Sequence, residues 1–394
     1  MNLSRTQIAF FGCRNAGKSS LINAVTAQAL AVVSETPGTT TDPVKKTMEL
    51  LPLGPVMLID TPGIDDTGTL GALRVEKTRE VLRQADVAVL VTDAARPLTK
   101  ADEALIEIFQ ERQIPYLIAM NKADLFPGLP EQTEENRLFV SAKALTGIEA
   151  LKERLAVLGA KTSEPPLARD LVSPGDAVIL VTPIDSAAPK GRLILPQQQV
   201  IRDLLEVGAL PFVCRETELS AALAKLKEPP ALVITDSQAF GPVAALLPEE
   251  IPLTSFSILM ARMKGNLSAA VEGVKALDHL KDGDTVLISE GCTHHRQCKD
   301  IGSVKLPAML RKFTGKELQI RLTSGGEFPE TLDQIALVIH CGACMLNGRE
   351  ARWRYETAHM QQVPVTNYGI AISYMKGILS RAIRPILAIP SDGR

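Results

Sequence analysis

Three groups of residues in this chain have the types and spacing that chemistry requires. The first, Gly12-Cys13-Arg14-Asn15-Ala16-Gly17-Lys18-Ser19, fits G-x-x-x-x-G-K-[ST] between an apolar run and a helix-like stretch. In such a loop, backbone N–H groups and a helix N-terminus meet phosphates; Asn15, Ala16, Gly17 and Ser20 line that cradle. Lys18 reaches the β and γ oxygens, and Ser19 supplies a Mg²⁺ ligand. The second group, Asp60-Thr61-Pro62-Gly63, ends the run VMLID, placing a carboxylate by the Mg²⁺ and the Gly63 N–H near the γ-phosphate. Asn121-Lys122-Ala123-Asp124 and Ser141-Ala142-Lys143 close two further runs. Asp124 can accept two hydrogen bonds from guanine N1–H and its exocyclic amine, whereas adenine turns an acceptor to that edge, so the pair reads as selective for GTP over ATP. Ser141, Ala142 and Lys143 support the base.

The third group is sulfur. Cys341 and Cys344 follow the run ALVIH, and Cys292 follows VLISEG, so all three thiols emerge at the carboxyl ends of apolar strands, where open α/β sheets bind ligands. Three converging thiolates suit a soft metal, either an iron–sulfur cluster or zinc. A cubane on three cysteines leaves one iron open; structural zinc needs a fourth donor, for which His294, His295, His340 and Cys298 are candidates. The plainer reading makes Cys341 and Cys344 small apolar residues at a strand-to-helix turn. Cys298 sits in the charged run RQCKD and reads as an ordinary surface residue, while Cys13 and Cys214, the latter ending a core strand, have no thiol nearby in sequence. His279 and His359 fall on amphipathic helical stretches as surface or packing residues, and Tyr368 either flanks the thiols or packs in the core.

Positioning these residues requires an α/β architecture of three parts. Residues 6–160 alternate short β-branched runs (IAFFG, VMLID, VAVLVTD, YLIAMNK, LFVSAK) with helical stretches, the pattern of a doubly wound parallel sheet. After the linker KTSEPPLARD the alternation restarts with AVILVTPI, PFVC, ALVITD and IPLTSF, and again from residue 266 with TVLISEG, ELQIRLTSG and QIALVIHCG. The expected division is 1–165 for nucleotide, then smaller parallel-sheet units over 175–264 and 265–394, the last carrying the thiols. There is no internal repeat at the fixed period of a solenoid.

Composition agrees with this reading. A chain of 394 residues, 45% hydrophobic, exceeds what one core usually organises. A net charge of −2 without a Lys/Arg run argues against a nucleic-acid partner. The N-terminus reads as neither signal peptide nor membrane span, no later stretch is apolar enough to cross a bilayer, and cysteines in that setting are metal ligands or structural thiols, which points to the cytoplasm.

The nucleotide motifs resemble those of translation-factor-like GTPases, particularly the Era and MnmE branch, over about the first 165 residues. In that resemblance PGTTTD is a switch segment whose Thr40, or its neighbours Thr39 and Thr41, ligates Mg²⁺, and Lys18, Thr40 and Gly63 carry catalysis. Ile64 stands where Ras-like enzymes have a water-orienting glutamine, so hydrolysis is expected to be slow or to use another group; Asn15 matches the asparagine that helps hold K⁺ in MnmE-like enzymes. Across essentially the whole chain, Cys292-Thr293-His294 followed by His340-Cys341-Gly342-Ala343-Cys344 resembles the iron-iron hydrogenase maturation GTPases, the HydF family. The resemblance implies a scaffold or carrier with a 4Fe-4S cluster on Cys292, Cys341 and Cys344, and with His294 or His340 as a fourth ligand or as part of a precursor site. It further implies a two-iron precursor loaded by radical-SAM maturases and passed to the apo FeFe-hydrogenase, and a homodimer made through the middle unit. GTP then acts as a switch. The competing readings are an MnmE- or Era-like factor in tRNA modification or ribosome assembly with a structural zinc, and a zinc-stabilised interaction protein.

Overall fold

The computed structural model describes residues 5–27, 43–63, 78–126, 136–160, 165–184, 193–291 and 300–387. Thr39, Thr40, Thr41, Ile64, Cys292, His294, His295 and Cys298 lie outside these described residues. The chain divides into two compact units, Met1–Ser163 and Glu164–Arg394.

In the first unit, strands β1 (Thr6–Phe11), β2 (Val44–Leu50), β3 (Gly54–Asp60), β4 (Val87–Asp93), β5 (Tyr116–Asn121) and β6 (Arg137–Phe139) form one sheet in the order β2-β3-β1-β4-β5-β6. Ile8, Phe10, Val89 and Val91 face one apolar layer, and Ala9, Phe11, Ala88 and Leu90 face the other. Helices cover both faces, which is why these strands read as unbroken apolar runs rather than as alternation. β2 departs from the parallel expectation: it pairs antiparallel with β3, from Val44 against Asp60 to Leu50 against Gly54. Its sequence VKKTMEL lies on an open edge and has no apolar run to announce it. β1, β3 and β5, all parallel, bring the phosphate loop, Asp60 and Asn121 to a single edge.

The second unit holds two four-stranded parallel sheets over one continuous hydrophobic core. β7 (Ala177–Val181), β8 (Leu210–Cys214), β9 (Leu232–Thr235) and β10 (Leu253–Ser255) are ordered β10-β9-β7-β8. β11 (Thr285–Ser289), β12 (Gln319–Thr323), β13 (Ile335–His340) and β14 (Val365–Asn367) are ordered β12-β11-β13-β14. Cys214 ends an edge strand, not a core strand: β8 leaves Leu210, Phe212 and Val213 53%, 42% and 46% exposed. The segment VTN, too short to signal itself, forms β14, and the helix Tyr368–Met375 follows directly.

The shared strand order reflects a duplication. At a constant offset of 112 positions, Pro252, Thr254, Ile258, Met263, Lys264, Gly265, Leu267, Ser268 and Ala270 recur as Pro364, Thr366, Ile370, Met375, Lys376, Gly377, Leu379, Ser380 and Ala382. The local geometry repeats with the residues. The Ser255 hydroxyl accepts from Ile258 N–H and the Asn367 amide oxygen from Ile370 N–H, and the helices that follow end at Gly265 (φ 79°) and Gly377 (φ 71°). A left-handed stop of this kind favours glycine. Upstream, Ala231-Leu232-Val233-Ile234 recurs as Ala336-Leu337-Val338-Ile339 and Gly175-Asp176 as Gly283-Asp284. The halves also exchange helices. Leu267–Gly273 packs on β14, where Gly273 leaves no room for a side chain against the Val365 carbonyl, while Arg381 in Leu379–Leu387 reaches the carbonyls of Ala244 and Leu247 in the first half.

Candidate functional site

At the nucleotide motifs, the loop Gly12–Gly17 turns from β1 into the helix Lys18–Thr26. Gly12 (φ 140°) and Gly17 (φ 90°) take conformations that disfavour side chains, and an added Cβ would meet the Val91 carbonyl oxygen and the Asn121 amide nitrogen, each at 2.2 Å. The phosphate loop therefore rests directly on the base-recognition strand. Asn121 Nδ2 donates to the Ala16 carbonyl at 3.0 Å and its Oδ1 accepts from Ala142 N–H at 3.1 Å, joining three motifs in one contact.

Lys18 is 8% exposed and folds over the loop, donating to the Gly12 and Cys13 carbonyls at 2.8 and 2.9 Å. Ser19 Oγ donates to Asp60 Oδ2 at 2.5 Å, while Asp60 Oδ1 is buried without a hydrogen-bond partner among the described residues. Burial raises the Asp60 pKa, and Ser19, Lys18 and Lys46 oppose the rise. A desolvated carboxylate oxygen beside a hydroxyl fits a hard cation such as Mg²⁺. Asp124 is exposed, with Oδ1 accepting from Ser141 Oγ at 2.5 Å; Ser141 is held in turn by Ala144 N–H at 2.9 Å. Lys122 adopts φ 66° and donates to Asp93 at the end of β4, which pulls the Asp93 carboxyl below its ordinary range. Asn15 is exposed at φ 59°, a conformation asparagine tolerates better than most residues. Gly63 backs onto Arg14, whose side chain a Cβ there would meet at 2.6 Å; Ser20 sits in the first turn of the helix Lys18–Thr26 and Lys143 in the turn after Ser141.

At the thiol motifs, β11 and β13 are neighbours with Ser289 opposite His340. Cys341 N–H donates to the Ser289 carbonyl, which continues the ladder one residue, and Gly291 N–H donates to Cys341 Sγ at 3.0 Å. Gly291 is the covalent neighbour of Cys292. A second donor, Ala343 N–H, lies 3.4 Å from the same sulfur because Ala343 takes φ 54° and turns the loop back. Burial pushes the Cys341 thiol up, and these two N–H groups oppose it. Cys344 is pushed up to about 11 by burial and by Cys341, with Lys264 pulling the other way. Two adjoining, desolvated sulfurs already supplied with N–H donors fit a thiophilic cation, whose charge would stabilise the thiolates in place of the water that burial removes.

His340 departs from the expectation of a free ligand. It is 1% exposed, its Nε2 lies 3.1 Å from Arg354 Nη1 and its Nδ1 lies 2.9 Å from the Cys341 carbonyl. Arginine only donates, so Nε2 accepts and Nδ1–H donates, leaving no ring lone pair for a metal. Burial and Arg354 lower its pKa to about 3, so the ring is neutral.

Sequence reasoning missed what lies beneath. Arg354, 1% exposed, donates to Glu350, Ser289 and the Gly325 carbonyl and stands 5.4 Å over the Phe328 ring. Glu290, buried at the end of β11, accepts from Tyr368 Oη at 3.2 Å. The i,i+4 spacing of Glu350 and Arg354 was the available signal, but it equally describes a solvated helix face. His279 and His359 are exposed, as expected, and Cys13 lies beside Thr99 and Asp102. Among the described residues no three His, Cys, Asp or Glu side chains converge as a metal site.

Comparison with known proteins matches residues 7–122 to the 50S ribosome-binding GTPase family, 167–265 to the Hydrogen maturase F dimerization domain and 268–385 to the Hydrogen maturase F tetramerization domain. The tRNA modification GTPase MnmE of Janthinobacterium sp. (strain Marseille) is 36% identical over 160 residues, covering 39% of this chain and 34% of that protein. MnmE of Synechococcus sp. (strain JA-2-3B'a(2-13)) is 39% identical over 156 residues, covering 39% of this chain and 33% of that protein. The chain thus spans about a third of the length of these relatives. Among solved structures, the G domain of the T. maritima FeoB iron transporter is 23% identical and covers 39% of this chain and 98% of that one, at a TM-score of 0.29, too low to argue from. With a GTPase domain followed by both maturase domains, this chain is a GTP hydrolase and belongs to the hydrogen maturase F (HydF) family.

Proposed function

We propose that this hydrogenase-maturation GTPase is a scaffold and carrier whose second unit binds a 4Fe-4S cluster through Cys292, Cys341 and Cys344 and delivers a two-iron precursor to the apo FeFe-hydrogenase, loaded by radical-SAM maturases. The observation that carries this reading is the Gly291 N–H on Cys341 Sγ at 3.0 Å, which holds the backbone immediately before Cys292 against the sulfur of the distant Cys341-x-x-Cys344 loop. Cluster chemistry supplies an open coordination corner for cargo; this chain's residues supply thiolates, N–H donors and a dry pocket. His340 is spent inside the protein, which leaves the His294-His295 pair, His294 first, as the histidine candidate for that corner or for the precursor. The division 1–165, 175–264 and 265–394 assigns nucleotide binding, dimerisation and cluster binding in turn, in a cytoplasmic homodimer.

The test is anaerobic iron and sulfide analysis of the reconstituted protein and of Cys344→Ala. Wild type is expected to hold about four irons and the variant to lose most of them. Equal iron in both, or stoichiometric zinc in a colourless protein, ends the cluster reading.

In the first unit, the backbone from Asn15 to Ser20 holds the phosphates, Ser19 and Thr40 the Mg²⁺, and Asn121, Lys122, Asp124, Ser141, Ala142 and Lys143 the guanine. Lys18 and the Gly63 N–H stabilise charge developing on the γ-phosphate. With Ile64 unable to orient water, K⁺ held near Asn15 is assigned the role of charge stabiliser. Turnover is expected to rise severalfold in K⁺ over Na⁺ at equal ionic strength, and equal rates discard the ion's role.

A further inference from the structure

In the C-terminal half, the strand order reverses between β11 and β13, and that switch point carries Gly291, Cys341 and Cys344. The duplication places β7 and β9 at the same point of the first half. Aligning Ala231–Ile234 with Ala336–Ile339 sets Asp236 at the place of Cys341 and Ala239 at the place of Cys344. Aligning Gly175-Asp176 with Gly283-Asp284 sets Pro183 at the place of Gly291.

The walls correspond as well. Over the thiol loop stands a helix from the other half: Ser257 and Met260 come within 3.7 and 4.0 Å of where a Gly342 side chain would begin, and the charge of Lys264 reaches Cys344. By the reciprocal exchange, Ile372 and Lys376, the repeats of Met260 and Lys264, stand over Pro183, Gln238 and Ala239. Between them is a cleft of about 570 Å³, within the range of small-molecule sites. We infer that this cleft is a second binding site, the thiol-free counterpart of the cysteine site, for a small organic anion with an apolar body and one hydrogen-bond donor.

Each part of that ligand answers a feature of the cleft. Lys376 lines its solvent side and has no hydrogen-bond or ion-pair partner among the described residues, and Gly241 lies so close that a Cβ there would meet its Nζ at 2.9 Å. Partial burial lowers the Lys376 pKa, as expected of a cation short of counter-charge. Lys305 adds a second cation, donating to Gln238 at 2.9 Å. Glu216 contributes the opposite feature: its Oε2 is buried in the cleft lining with no hydrogen-bond partner among the described residues, an acceptor that a donor on the ligand satisfies. Met309, Pro242 and Ile372 provide apolar wall. The lining does not suit a soft metal: no cysteine lines the cleft among the described residues, and the Asp236 carboxylate accepts from Gln197 at 2.8 Å. The site is independent of both the nucleotide and the cluster readings.

The full-length protein is to be titrated with 1-anilinonaphthalene-8-sulfonate, which combines an anion, an N–H and an aromatic body, and with N-phenyl-1-naphthylamine, the same molecule without the sulfonate. Fluorescence is expected to show saturable binding about tenfold tighter for the sulfonate, the size of one charge-assisted contact. Lys376→Met is expected to bring the two probes within about twofold, and Ala308→Trp, at an exposed helix position lining the cleft, to abolish both. Phe212→Glu, at an exposed position of the β8 edge that is not in the cleft lining, leaves the binding intact and so excludes probe adsorbed there. Equal affinity for both probes in wild type overturns the inference, as does wild-type binding in Ala308→Trp; thermal unfolding of each variant shows that the fold persists.

Discussion

Arg354 is the largest wholly buried side chain among the described residues, and it stands directly beneath the loop that carries Cys341. Its guanidinium donates to Glu350, Ser289, His340 and the Gly325 carbonyl, so one cation fixes the ends of β11 and β13 and the tautomer of His340 together. A buried ion pair gains little over apolar packing, but removing one partner strands the other. Arg354→Leu leaves Glu350 charged and desolvated at 3% exposure, and is expected to cost about 3–5 kcal/mol, read as a fall in the urea midpoint of the second unit. Pairing the change with Glu350→Leu should restore most of the loss, an outcome that a purely steric role for the arginine would not produce.

At the scale of elements, β8 is the exposed feature of the second unit. Its sequence LPFVC leaves Leu210, Phe212 and Val213 partly bare on an edge whose outer backbone groups have no strand beside them among the described residues. Apolar edges left uncovered pair with other chains, and this edge belongs to the region matched by the Hydrogen maturase F dimerization domain. Phe212→Glu is expected to shift the protein at least one step down in oligomeric state, by light scattering at micromolar concentration; an unchanged mass would move the dimer contact elsewhere. The helix caps make the complementary case. Ser255 and Asn367 differ in type, yet each supplies the oxygen that starts an equivalent helix, because the cap requires an acceptor and not a particular residue.

For the whole molecule, the nucleotide loop and the thiol loop fall in separate compact units, each with its own core. Chemistry in one unit is therefore expected to survive loss of the other. Lys18→Ala should abolish GTP turnover while keeping wild-type iron after reconstitution, and Cys344→Ala should lose iron while turnover stays within about twofold. If the proposed transfer responds to GTP, it can do so only through a difference in how the GTP and GDP states interact with the other unit or with partners. If iron loading falls in Lys18→Ala, the two sites are bound by more than a switch.

The sequence by itself determined the α/β class, the order of the nucleotide motifs, the base they select and the three-cysteine pattern, because each is a local matter of residue type at a strand end. Asn121, Lys18 and Asp124 were legible for that reason. Tertiary structure alone decided that His340 has no lone pair to give, that Arg354 is buried rather than solvated, and that β2 runs antiparallel, since burial and partner choice depend on what another segment brings. It also disclosed the duplication. Two sheets whose strands share only a few identical residues became recognisable once their order, caps and exchanged helices coincided, for packing preserves geometry after side-chain identity has drifted.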